Sequence, residues 1–117
     1  MSSGVHYGKP YRLLAKGECK NFVYDYFVAF NGAFIIQKGD YITFHNGWRW
    51  FKGYFKGYTL RVCRRLDGRI VKTGFISMME FDKPELEEVV FRVDKNYSIG
   101  VVLRRVGGRW VSVFPSE

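Results

Sequence analysis

The chain predicts a mainly β domain with one short helix, built as a curved antiparallel meander sheet or a partly open barrel. Three observations carry that expectation. Apolar and polar residues alternate over short runs, the period of a strand with one buried face. Four turn dipeptides, Asn31-Gly32, Asn46-Gly47, Asp67-Gly68 and Gly107-Gly108, lie between those runs. Each can supply the positive φ angles of a two-residue hairpin turn. Apolar residues fall at helical spacing in one stretch only, near 83–92.

Taken in order, residues 1–9 read as a flexible leader of small and polar residues, closed by Pro10. Residues 10–117 form a single β-rich domain, as expected at this length. A first strand is expected at 11–16 and a loop at 17–20. The clearest long strand should be 21–30, with Phe22, Tyr24, Tyr26, Val28 and Phe30 on one face and Val23, Asp25, Phe27 and Ala29 on the other. Both faces are largely apolar, so it should be central. Strands follow near 33–37, 41–45, 48–55, 58–66 and 69–76, with a looser turn at Lys38-Gly39-Asp40.

The middle of this series cannot be one regular strand. Phe51 and Phe55 are apolar on odd positions, whereas Leu60 and Val62 are apolar on even ones. A bulge or turn must reverse the phase, and Gly57 is the residue suited to it. After the reversal Thr59, Arg61, Cys63 and Arg65 point outward. Two-residue pairing across Asp67-Gly68 sets Ile70 opposite Arg65, Lys72 opposite Cys63 and Gly74 opposite Arg61. On that register Arg61, Arg65 and Lys72 form one cationic face.

The helix expected near 83–92 rests on two capping patterns, Ser77-Met78-Met79-Glu80 and Asp82-Lys83-Pro84-Glu85. Leu86, Val89, Val90 and Val93 follow at helical spacing, although the three valines favour strands. A last hairpin, 98–106 and 109–115, closes the chain.

Composition narrows the function. A net charge of +8 favours polyanionic partners, nucleic acid first and an acidic protein or anionic surface second. No apolar run approaches the roughly 18 residues of a membrane helix, so no membrane partner is expected. The first residues lack the apolar core of a signal peptide, which suggests an intracellular protein, cytoplasmic or nucleoid-associated. Cys19 and Cys63 have no metal-ligand spacing and read as free thiols in a reducing compartment, with a disulfide between them as the alternative. His6 lies in the leader and His45 beside the Asn46-Gly47 turn, and no phosphate-binding loop, dinucleotide fingerprint or zinc motif occurs, which leaves a metal-free nuclease using His45 with Lys or Arg as the one enzymatic alternative. The chain therefore reads as non-enzymatic, with no cofactor, no metal and no small-molecule substrate.

The chemistry concentrates in 48–65. Phe51-Lys52-Gly53-Tyr54 is followed at once by the same four residue types, Phe55-Lys56-Gly57-Tyr58. Strand alternation puts Trp48, Trp50, Lys52, Tyr54, Lys56 and Tyr58 on one face, a ladder of rings and ammonium groups. Arg49, Arg61, Arg65 and Lys72 add charge nearby. Single-stranded nucleic acid matches such a surface, because phosphates need cations and unstacked bases need flat partners. A solvated edge strand with protective lysines is the plainer alternative. Against it stands the aromatic content, three Trp, eight Tyr and eleven Phe, more than a core this small hides.

The order of elements also resembles a family. Residues 55–62, Gly74-Phe75-Ile76-Ser77 and Glu85-Leu86-Glu87-Glu88-Val89-Val90 together resemble the transcriptional positive cofactor 4 family and its Whirly relatives, over about a third of the chain. That resemblance implies a curved sheet backed by a helix and a basic-aromatic surface that binds single-stranded DNA. It implies that Lys56, Arg61 and Lys72 face the ligand, and that Leu86, Val89 and Val90 face the core or a dimer partner. Pro84 and the hairpin after residue 98 depart from a minimal member. The expected function is low-specificity binding of single-stranded DNA or RNA, with a homodimer as one way to cover the open sheet edges. The alternative is a viral, regulatory or inhibitory module that docks a protein partner through the same surface.

Overall fold

The computed structural model describes residues 17–115. The leader at 1–9 and the strand expected at 11–16 lie outside them. Among the described residues there are nine strands: β1 Glu18–Tyr24, β2 Tyr26–Ala29, β3 Phe34–Gln37, β4 Tyr41–His45, β5 Trp50–Arg64, β6 Ile70–Glu80, β7 Val89–Val93, β8 Ser98–Val106 and β9 Arg109–Phe114. All pairings are antiparallel. Seven strands make one open sheet in the order β7-β6-β5-β4-β8-β9, with β1 also on β5; β2 and β3 form a separate hairpin. The sheet does not close into a barrel.

The strand β5 is the axis. It pairs with β6 along most of its length, while its other edge is shared by β4 over Trp50–Tyr54 and by β1 over Tyr58–Arg64. The chain reaches this arrangement by leaving the sheet after Tyr24, so the single strand expected over 21–30 is instead two strands in two sheets. Asp25 is the break. The β2–β3 hairpin then lies against one face of the large sheet and buries Phe27, Ala29 and Ile36 against Ile42, Phe44, Phe55, Ile76, Met78, Ile99 and Val102. This is the inner face. The chain rejoins the sheet through Gly39 N–H donating to Phe55 O and Phe55 N–H donating to Asp40 O, both at 2.8 Å.

Asp40 fastens the hairpin to β8. Its buried carboxylate accepts the Gln37 N–H at 2.8 Å and a two-pronged contact from Arg104, Nε at 3.0 Å and Nη2 at 2.8 Å. Arg104 Nη2 also donates to Ile35 O at 2.8 Å. Bonding to Asp40 pushes the guanidinium pKa above its ordinary value. A two-pronged, charge-assisted contact of this kind fixes geometry as well as energy.

Two further expectations are corrected. No helix forms among the described residues. Residues 81–88 are exposed loop, and Val89–Val93 pair with Gly74–Met78 as β7. The β-branched valines follow their strand preference once an open β6 edge is beside them. Leu86 is exposed and Val90 is 57% exposed, so of the two places that the resemblance implied, core or dimer side, neither residue takes the core. The cysteines are not free either: Cys19 and Cys63 face each other across β1 and β5, with Cα atoms 4.0 Å apart, and form a disulfide. Bonds of this kind persist in oxidising surroundings. No helix among the described residues is long and apolar enough to cross a membrane.

Candidate nucleic-acid interface

The face of β5 opposite the core is set by a bulge. Phe55 pairs with Met78 and Gly57 with Ser77, so Lys56 is an extra residue in the ladder. Before it, Phe51, Gly53 and Phe55 are buried inward and Trp50, Lys52 and Tyr54 point outward. Beyond it, Tyr58, paired with Ile76, and the buried Val62 face inward, while Thr59, Arg61 and Cys63 face outward. Were the ladder regular through Lys56, the apolar phase would reverse midway and expose half the core set.

Of the ten residues singled out from the sequence, Trp50, Lys52, Tyr54, Lys56, Arg61 and Arg65 therefore share the outer face. Trp48 and Arg49 do not lie in β5. They occupy the 46–49 loop, where Asn46 Oδ1 accepts the N–H groups of Trp48 at 2.9 Å and Arg49 at 3.1 Å. Trp48 is 78% exposed at its tip. The Arg49 guanidinium lies 4.7 Å from the centre of the Phe51 ring, on the inner side.

Tyr58 and Lys72 also depart from expectation. Tyr58 turns inward, its ring centre 4.9 Å from that of Phe27, and a Cβ at Gly74 would stand 2.5 Å from its hydroxyl oxygen. Lys72 pairs with Val62 rather than Cys63, which takes it off the face of Arg61 and Arg65. The cause is the turn: Arg65 N–H donates to Arg69 O at 2.8 Å, so Leu66-Asp67-Gly68 make a three-residue loop with Gly68 at φ +89°. A loop one residue longer than expected shifts the partners by one.

Neighbouring strands complete the outer face with residues that the sequence alone did not join to it. Two hollows flank the Lys52 side chain. The larger, about 630 Å³, is lined by Trp50, Thr43, Gly100, Val101, Lys52 and the two acids Glu80 and Asp82. The Trp50 ring lies across Gly100, where a Cβ would stand 2.4 Å from Thr43 Oγ1 and 3.2 and 3.3 Å from two ring carbons; a side chain there would displace the threonine hydroxyl and crowd the ring. Thr43 Oγ1 accepts the Val101 N–H at 2.9 Å and levels the floor beside it. Trp50 remains 54% exposed. His45 meets Trp50 edge-on at 5.0 Å and accepts the Gly47 N–H on Nδ1 at 3.1 Å, so its proton sits on Nε2.

The smaller hollow, about 250 Å³, is lined by Tyr41, Tyr54, Phe81, Leu103 and Trp110. Tyr54 is 5.8 Å from Tyr41 and 6.3 Å from Trp110, centre to centre. The Lys52 ammonium lies 5.4 Å from the Phe81 ring, between the two hollows, and Arg105 lies 5.5 Å from the Trp110 ring. Cations held over rings remain open to an anion on the solvent side. Tyr41 was findable from the alternation of Tyr41, Thr43 and His45 against Ile42 and Phe44. Trp110 was not, because the β4–β8 pairing has no local signal.

Acids temper the field. Five of the eleven carboxylates fall in 80–88, and the Ser77 hydroxyl donates to Glu88 beside Lys56. Among the described residues no three His, Cys, Asp or Glu side chains gather as metal ligands. Comparison with family models, with curated proteins and with solved structures finds no match for this chain.

Proposed function

We infer that the protein binds single-stranded nucleic acid on the outer face of its large sheet and catalyses no reaction there. The observation that supports this reading is the bulge at Lys56, which keeps Trp50, Lys52, Tyr54, Lys56, Arg61 and Arg65 on one surface. Bases stack on Trp50 in one hollow and on Tyr54 and Trp110 in the other. Lys52 meets a phosphate between them, and Lys56, Arg61 and Arg65 follow the backbone away. Paired bases cannot enter such hollows, so single strands should bind more tightly than duplex. Rings accept any base face, so sequence preference is weak.

A protein partner in the same hollows is the second reading, favoured by Glu80 and Asp82 at the larger one, which repel phosphate. Salt separates the two. Affinity for labelled single strands should fall linearly in log-log form, with a slope of about 0.7 per phosphate contact. Replacing Lys56 and Arg61 together by Ala should flatten that slope. Tyr54→Ala should cost about 1–3 kcal/mol of binding and leave folding intact. Phe55→Ala should instead cost roughly 3–5 kcal/mol of stability, since its ring is wholly buried. Binding that ignores both salt and Tyr54→Ala would favour the protein-docking reading.

A further inference from the structure

A second polar feature lies away from these hollows, where β7 ends. β7 reaches only Gly74 on β6, so β6 runs on past it through Thr73 and Lys72. The chain then turns away, with Tyr97 N–H donating to Asp94 O at 3.0 Å. The notch between is a cleft of about 490 Å³ lined by Lys72, Thr73, Arg92, Asp94, Lys95 and Asn96, with Val93 its one apolar wall. Three cations stand against one carboxylate, and that carboxylate is already engaged, since Arg92 Nε lies 3.1 Å from Asp94 Oδ1. The pair also holds the guanidinium at the rim.

The donor set is ammonium, guanidinium, hydroxyl and carboxamide, with no aromatic ring among the lining residues. Such a cleft offers nothing for a base to stack on and several charge-assisted donors for tetrahedral oxyanions. We propose that this edge cleft binds a phosphate group. A nucleic-acid backbone that crosses the sheet edge and a small free phosphoanion both present this group, and the chemistry of recognition is the same.

The inference does not depend on the outer-face reading, and its first test uses no nucleic acid. Inorganic pyrophosphate titrated into the isotope-labelled protein should shift the amide signals of 72, 73 and 92–96 saturably. The Lys72→Glu/Lys95→Glu double variant should weaken that binding at least tenfold, and Lys95→Glu alone should weaken it less. Tyr54→Ala should leave it unchanged. Shifts that do not saturate, or that sulfate reproduces at equal ionic strength in the double variant, would overturn the proposal. Competition distinguishes the sources: a single strand that displaces pyrophosphate, and binds the double variant more weakly, identifies the backbone as ligand. A strand that binds alongside pyrophosphate identifies a free phosphoanion. Loss of strand binding in Tyr54→Ala with pyrophosphate binding intact keeps the two sites, and their failures, separate.

Discussion

Tyr54 and Tyr58 occupy the same place in a tandem repeat, yet one ring faces the hollows and the other lies under the sheet. The difference is one extra residue, Lys56, and its consequence is electrostatic as well as steric. Burial raises the Tyr58 hydroxyl pKa above the ordinary 10.0, with Tyr24 and Tyr97 adding to the shift, and Tyr24 is raised in the same direction. A pKa raised in the folded state lends stability that is complete below about pH 10 and is lost as pH climbs through the raised value. Tyr58→Phe keeps the ring contacts with Phe27 and Tyr24 while removing the ionisable group. Its stability, measured by denaturant unfolding between neutral pH and pH 11 or so, should fall less steeply on the alkaline side than that of the parent. An unchanged alkaline limb would mean that Tyr58 is solvated and outward, as strict alternation through the repeat requires. The phase reversal between Phe55 and Leu60 was legible in the sequence, with Gly57 as its mark. Whether it would turn Tyr58 inward was not, because that depends on whether the extra residue falls before or after Tyr58.

At the scale of elements, the same bulge makes an unusual prediction about deletions. Removing Lys56 leaves Phe55 opposite Met78, Gly57 opposite Ser77 and Tyr58 opposite Ile76, so both faces of β5 keep their residues. That variant should fold cooperatively, within the roughly 0.5–3 kcal/mol of an ordinary substitution, and lose one cation. Removing Thr59, three positions on, should not. It would turn Leu60 and Val62 outward and Arg61 inward, and would take Cys63 from its place opposite Cys19. Circular dichroism melts of the two deletions decide the matter, and equal damage from both would show that the ladder is regular at Lys56. Strands with a clear period and a local turn were readable: 41–45 and 98–106 coincide with β4 and β8, and 33–37 and 109–115 lie within a residue of β3 and β9. The helix near 83–92 failed because its capping residues Ser77 to Glu80 end β6 and its valines had a strand edge to join. The strand over 21–30 failed because its continuous apolar pattern conceals a change of sheet at Asp25. In both cases the deciding partner lies far away in the chain.

The molecule as a whole is held at two places that its local pattern does not reveal. Arg104 binds Asp40 across 64 positions, and Cys63 binds Cys19 across 44. The first ties the core-covering hairpin to β8. Losing Arg104 would leave the buried Asp40 carboxylate without its counter-ion, bonded to the Gln37 N–H, at a cost of roughly 3–5 kcal/mol. The second fastens the start of β1 to the end of β5, beside Arg61 and Arg65 on the outer face. Composition alone favoured free thiols, since nothing in the spacing of two cysteines reveals that their strands are neighbours. Closing a loop of this length lowers the entropy of the unfolded chain by about 4 kcal/mol at room temperature. The Cys19→Ser/Cys63→Ser variant should therefore melt well below the oxidised protein, and reductant should lower the oxidised protein to the same midpoint. The hollows around Trp50 and Tyr54 rest on β4, β6, β8 and β9 and not on β1, so they should outlast the bond. Strand binding in the folded double variant should keep both its sensitivity to Tyr54→Ala and its salt slope, because Arg61 stays paired with β6 and Arg65 stays bonded to Arg69 when β1 is unfastened. A midpoint indifferent to reductant, with two reactive thiols in the untreated protein, would show that the cysteines stay free. A salt slope that falls in the double variant would show that β1 is needed to hold Arg61 and Arg65 on the outer face.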